Sequence, residues 1–219
     1  MDTGTAMTTT TDLLKLQTWL SPAFPVGGFS YSHGLEYAVE QGLVTDWETL
    51  ADWLEADLRH GTGWCDAVIF ARAWADPTPE LLELARALPA TSELALETEA
   101  QGTAFLAAAR AAWPVDLPFE DAPYPFAVAV VCAHHKMALE SCLPAYLLAW
   151  AANLVSAGVR LVPLGQSDGL RAVASLEPVA EEVASLASKA TLADLGSAAV
   201  MLDWASANHE TQYTRLFRS

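Results

Sequence analysis

The sequence predicts an all-α single domain, a bundle of roughly ten helices with a short C-terminal tail. Three observations predict it. Apolar residues recur at helical spacing nearly throughout. The segment boundaries carry helix start and stop residues. The one run with strand-like content, "FAVAVVC", is rich in alanine and lacks hairpin signals beside it. At 219 residues and 53% hydrophobic composition, the chain has ample material for one core. No internal repeat is detected.

Met1 to Thr11 is threonine-rich and reads as a flexible tail. It lacks the basic segment and apolar core of a secretory leader. Leu13, Leu14, Leu16, Trp19 and Leu20 make a short amphipathic helix that stops before Ser21-Pro22. A helix over about 35–41 ends at Gly42, a residue suited to the left-handed stop. Thr45 and Glu48 have the spacing of a capping box and start a helix to about Arg59. "HGTG" breaks the chain before a helix through Val68, Ile69 and Trp74. Pro77 and Pro79 mark the next start and Pro89 its end. A longer helix covers about 92–113. The proline-rich stretch 114–125 is the longest internal loop. Beyond it the chain is most apolar, and Pro144 is expected to divide it into two buried helices. Helices near 168–176, 178–189 and 194–210 complete the domain, which spans 12–208, with 209–219 as the tail.

The balance of 11 basic against 27 acidic residues gives a formal net charge of −16. Such a surface repels phosphate backbones and anionic lipid, which argues against nucleic-acid and membrane partners. No run of about 18 apolar residues is uninterrupted, so no membrane span is expected. Three cysteines at no framework spacing suit reduced thiols and a cytoplasmic protein.

The densest motif is "SPAFPVGGFSYSHGLE" at 21–36. As a phosphate cradle it lacks the lysine that follows the glycines of a P-loop and the strand that precedes them. As a hydrolase turn, Ser30 or Ser32 with His33 lacks the second elbow glycine, the strand and a clear orienting acid. Ser32 instead suits a helix cap, with Glu36 steadying the first turns. Cys132 and His135 fall on one helical face, with His134 and Cys142 nearby. Nickel storage would need a fuller ligand set, and their apolar neighbours favour buried structural roles. The tail "HETQYTRLFRS" places Arg215 and Arg218 beside Tyr213, Leu216 and Phe217, residue types enriched where protein interfaces carry most energy. Asp168 suits a cap of the following helix.

Three stretches together, "SPAFPVGGFSYSHGLE", "NLVSAGVRLVPLGQSDG" at 153–169 and "HETQYTRLFRS" at 209–219, resemble the urease accessory protein F (UreF) family. The resemblance covers about residues 12–219. It implies an all-helical, non-catalytic chaperone subunit that dimerises. It joins accessory protein D (also called H) and the GTPase accessory protein G, in an assembly docked on apo-urease. That assembly takes part in GTP-dependent building of the nickel metallocentre, with nickel passing through as cargo and no cofactor held permanently. The residues expected to meet partners are Phe29, Tyr31, Ser32, His33, Glu36, Gly165, Gln166, Tyr213, Arg215, Leu216, Phe217 and Arg218. A tail arginine is expected to bond Tyr31 or Glu36, and the tail to order on accessory protein D.

Overall fold

A computed structural model of the chain describes residues 8–219. Among them are ten α-helices, two 3-10 turns and no strand. The helices are α1 (Thr10–Trp19), α2 (Leu35–Glu40), α3 (Trp47–His60), α4 (Thr62–Ala75) and α5 (Pro79–Ala87). They continue as α6 (Ser92–Ala112), α7 (Tyr124–His134), α8 (Leu139–Leu161), α9 (Gln166–Ala187) and α10 (Val200–His209). The 3-10 turns are Gly28–Ser30 and Leu192–Asp194.

The expected flexible start lies mostly at residues 1–7, outside the described residues. From Thr9 onward it is ordered. Thr9 caps α1, its hydroxyl accepting the Asp12 amide while the Asp12 carboxylate accepts the Thr9 amide. The capping box expected from Thr45 and Glu48 forms one residue later. Asp46 Oδ1 accepts the Thr49 amide at 2.8 Å, and Thr49 Oγ1 accepts the Asp46 amide at 3.1 Å. A carboxylate at this position also faces the positive end of the helix dipole.

Two prolines do not divide helices as expected. Pro144 sits inside α8 and Pro178 inside α9. The break before α8 comes earlier, at Lys136, whose φ of 56° is left-handed. There the Met137 amide bonds the Cys132 carbonyl and the Lys136 amide bonds that of Ala133, closing α7 with the stop more often built on glycine.

α7 is wedged between α4 and α6, and its residues from Pro125 to Cys132 are all buried. α9 lies along α8 and α3. Among the described residues, α8 alone is long and apolar enough to cross a membrane. Here half of that stretch is buried, with Leu143, Tyr146, Leu147, Leu154 and Val155 facing the core. The α6–α7 approach requires Gly102, where a Cβ would lie 1.8 Å from the Ala122 carbonyl oxygen. The loop preceding α7 is gathered by Arg110, whose guanidinium donates to the carbonyls of Leu117, Phe119 and Glu120.

Candidate functional site

The three motifs, distant in sequence, meet at one junction. Its first wall is the turn Gly28–Ser30. Asn153 of α8 donates from Nδ2 to the Gly28 carbonyl at 2.9 Å. About two helical turns further on, Arg160 donates to the Phe29 carbonyl at 2.9 Å. The same guanidinium stands over the Phe217 ring, 4.5 Å from its centroid. Arg160 therefore ties the opening stretch, the internal motif and the tail together.

The chain then turns sharply. His33, with φ 55°, precedes Gly34, with φ 74°, so two consecutive residues are left-handed. Gly34 is required twice over, because a Cβ there would lie 2.5 Å from the Ser206 amide nitrogen of α10. This bend puts Glu36 under the tail.

Three acidic side chains seat the tail. Glu36 accepts the Leu216 amide at 2.7 Å and the Phe217 amide at 3.0 Å. Its Oε2 also faces His209 Nε2 at 3.3 Å. Glu93 receives His209 Nδ1 at 2.7 Å and pairs with Arg215. Glu97 accepts the Ser219 hydroxyl at 2.6 Å. The two chain segments are stitched directly as well: the Arg218 amide donates to the Ser30 carbonyl at 2.8 Å, and the Ser32 amide to the Ser219 carbonyl at 2.9 Å. The Ser32 hydroxyl donates to that carbonyl too.

Several residues expected at the surface are thus turned inward. Tyr31, Ser32, Glu36 and Phe217 are buried against their own chain. The expected bond from a tail arginine to Tyr31 or Glu36 is replaced: Arg215 pairs with Glu93, and Glu36 binds tail backbone. The physical reason is that backbone amides with no helical partner need acceptors, and a buried carboxylate needs donors. Gly34, not Ser32, holds the N-cap position of α2, but the Ser32 hydroxyl still accepts the first-turn amide of Glu36 at 3.4 Å. What remains outward is Phe29, Tyr213, Arg215, Leu216 and Arg218, with Phe29 at 66%, Leu216 at 75% and Tyr213 fully exposed. They form an apolar and basic crest on an acidic molecule.

Gly165 and Gln166 stand apart from the junction's contacts, at the exposed N-terminus of α9. The cap role expected for Asp168 is present, its carboxylate accepting the Gly165 amide at 3.3 Å.

Beneath the junction lies a polar interior. His33 Nε2 faces Glu97 Oε1 at 2.9 Å, and the Gln101 amide donates to the same oxygen at 2.7 Å. Tyr146 donates to Asp66 at 2.8 Å. Burial pulls the His33 pKa down, but the Glu97 charge and hydrogen bond, with Asp57 and Asp66 nearby, push it up to about 9. Burial raises Asp66 to about 7 against the Tyr146 bond, which lowers it. Cavities of about 50 Å³ lie on either side of a wall that includes His33, Glu97, Gln101, Tyr124 and Trp150. Each has room for a few waters.

Neither serine considered as a nucleophile meets His33, which bonds Glu97 instead. Cys132 and Cys142 are buried in the core. His134 bonds the Pro114 carbonyl at 3.0 Å, and His135 faces Lys15 at 3.1 Å. Among the described residues no group of three or more His, Cys, Asp or Glu side chains is placed to hold a metal ion.

Sequence reasoning missed Arg160, Glu93 and Glu97. Arg160 carried a signal, being one of only 11 basic residues and lying inside one of the three motifs. Glu93 and Glu97 sit in an ordinary acidic helix, and nothing in their spacing points to the tail.

The three motifs of this all-helical domain converge on one junction that carries exposed apolar and basic side chains. Residues 44–177 match the family model UreF. The chain is 51% identical to the urease accessory protein UreF of Rhodopseudomonas palustris BisB5, over 94% of this chain and 91% of that protein. It is also 51% identical to that of Agrobacterium fabrum, over 94% and 96%. Identity to urease accessory protein UreF 1 of Brucella anthropi is 46%, over 99% and 98%. The chain belongs to the UreF family of urease accessory proteins.

Proposed function

We propose that this protein is a nickel-insertion chaperone subunit that bridges accessory protein D/H and the GTPase accessory protein G. In that role it regulates GTP-dependent assembly of the urease nickel metallocentre and reaches apo-urease through the complex. It works in the cytoplasm as a homodimer and has no catalytic residue of its own. Nickel is cargo, not a resident cofactor.

The observation that carries this reading is the crest of Phe29, Tyr213, Arg215, Leu216 and Arg218 on a molecule of net charge −16. Large exposed apolar groups ringed by arginine are what a docking surface requires. We assign the crest to accessory protein D, and the Gly165–Gln166 corner to the GTPase. Mixing the chain with D and G, with and without GTP, and sizing the products tests the proposal. A complex containing all three is expected. A chain that elutes alone from both partners contradicts it.

A further inference from the structure

The exposed ring of Phe29 sits on a turn that α8 holds from beneath. Resting on the docking role proposed above, we infer that Asn153 is a positioning residue for that role: it sets the Gly28–Ser30 turn, and the turn presents Phe29 to the partner.

The turn is short and has few restraints of its own. Gly27 enters it left-handed, with φ 74°. Within it the Ser30 amide donates to the Gly27 carbonyl at 3.1 Å and the Tyr31 amide to the Gly28 carbonyl at 3.2 Å. Hydrogen bonds of this 3-10 type are poorly aligned and hold short pieces weakly. Asn153 adds the contact that aims them. Its Nδ2 donates to the same Gly28 carbonyl at 2.9 Å, from 125 residues away in sequence. The approach is close, since a Cβ at Gly28 would lie 3.4 Å from Nδ2. The platform is rigid, because Trp150, Ala151, Leu154 and Val155 around Asn153 on α8 are all buried. The Phe29 ring, next along the chain, is left 66% exposed. None of these contacts uses residues 209–219. Arg160 also reaches the turn but stands over Phe217 as well, so Asn153 isolates the turn from the tail.

An aromatic anchor preset in its bound direction avoids the loss that ordering it on binding would add. The Nδ2 donor is the feature that matters. Asn153→Asp has nearly the same shape but turns a carboxylate oxygen toward the Gly28 carbonyl, replacing a bond by repulsion.

Hydrogen exchange read by mass spectrometry, and titration with accessory proteins D and G, test the assignment on the full chain. In Asn153→Asp the amides of Ser30 and Tyr31 are expected to exchange about tenfold faster than in the wild type, while the middle of α8 stays protected. Apparent affinity for D and G together is expected to fall about tenfold. In a Phe29→Ala background the same change should cost less than about twofold, because a positioning residue acts through the ring it positions. A merely structural role would cost the same in both backgrounds. Unchanged exchange at 30–31, or an equal loss in both backgrounds, overturns the inference. If Asn153→Asp loosens α8, Asn153→Ala is judged by the same two readouts. Loosening of α8 by both variants also overturns it, since Asn153 would then hold the helix rather than the turn. The docking role is judged separately: wild-type affinity in Phe29→Ala removes it at this ring, and exchange at 30–31 then decides the positioning alone.

Discussion

The Arg160 guanidinium lies 4.5 Å from the centroid of the Phe217 ring, although the whole of α9 and α10 separates the two residues in sequence. The same group donates to the Phe29 carbonyl at 2.9 Å. Removing it with Arg160→Met keeps the aliphatic stem and loses the cation over the ring and the bond to the turn. The expected cost is about 1–2 kcal/mol, modest because Arg160 is exposed. Urea unfolding measures the cost. Limited proteolysis should show faster cleavage within 210–219, and Arg160→Lys should recover only part of the protection, since a point charge cannot serve ring and carbonyl as the planar fork does.

Gly102→Ala is expected to be among the most destabilising single-methyl changes in the chain. Its Cβ would fall 1.8 Å from the Ala122 carbonyl oxygen and 2.7 Å from the Pro123 carbonyl carbon, both backbone. Neither can rotate away, so α6 must part from the start of α7. The cost is about 3 kcal/mol, a fall in Tm on the order of 10 °C. A thermal melt within 2 °C or so of wild type would show that this approach is not fixed by the fold.

The buried acid–base cluster sets a pH dependence of one sign over two windows. Asp66 rises from 3.8 to about 7 in the folded chain, so the unfolded chain gives up its proton first. Stability from this group is complete below about pH 4 and drains away as pH climbs toward 7. His33 rises from 6.5 to about 9, so its contribution is complete below 6.5 and is lost as pH climbs through 9. Asp66→Asn should flatten the curve over the lower window, and Glu97→Gln over the upper one. Urea midpoints taken at several pH values check both. Steeper curves in these variants would contradict the assignment.

His33 has a direct spectroscopic readout. The Glu97 carboxylate at 2.9 Å is the principal influence raising its pKa against burial. Glu97→Gln should therefore move its NMR titration downward by at least one unit or so. An unshifted His33 titration would mean that its charge is stabilised elsewhere.

Much of this arrangement was legible in the sequence. Period, caps and the Gly42 stop place most helices to within a few residues, although the one expected from 194 starts only at Val200, and the three motifs mark the segments that meet. Pro144 and Pro178 mislead because tertiary burial of α8 and α9 outweighs the loss of one backbone bond each. The junction itself was not legible. That Glu36 and Phe217 face inward while Phe29 and Leu216 face outward depends on the His33–Gly34 bend and on unpaired tail amides seeking a carboxylate. Both are properties of the folded backbone rather than of spacing. Glu93 and Glu97 look like solvent-facing positions of α6 until the tail is laid across them.

The central claim, that the crest is where a partner docks, is tested most directly with Tyr213→Ala/Leu216→Ala in the full chain. Both side chains are exposed and carry no side-chain hydrogen bond in the structure, so unfolding midpoints should stay at the wild-type value. Affinity for accessory protein D, measured by co-purification and titration, is predicted to fall on the order of a hundredfold. Wild-type affinity in a folded double variant would contradict the account.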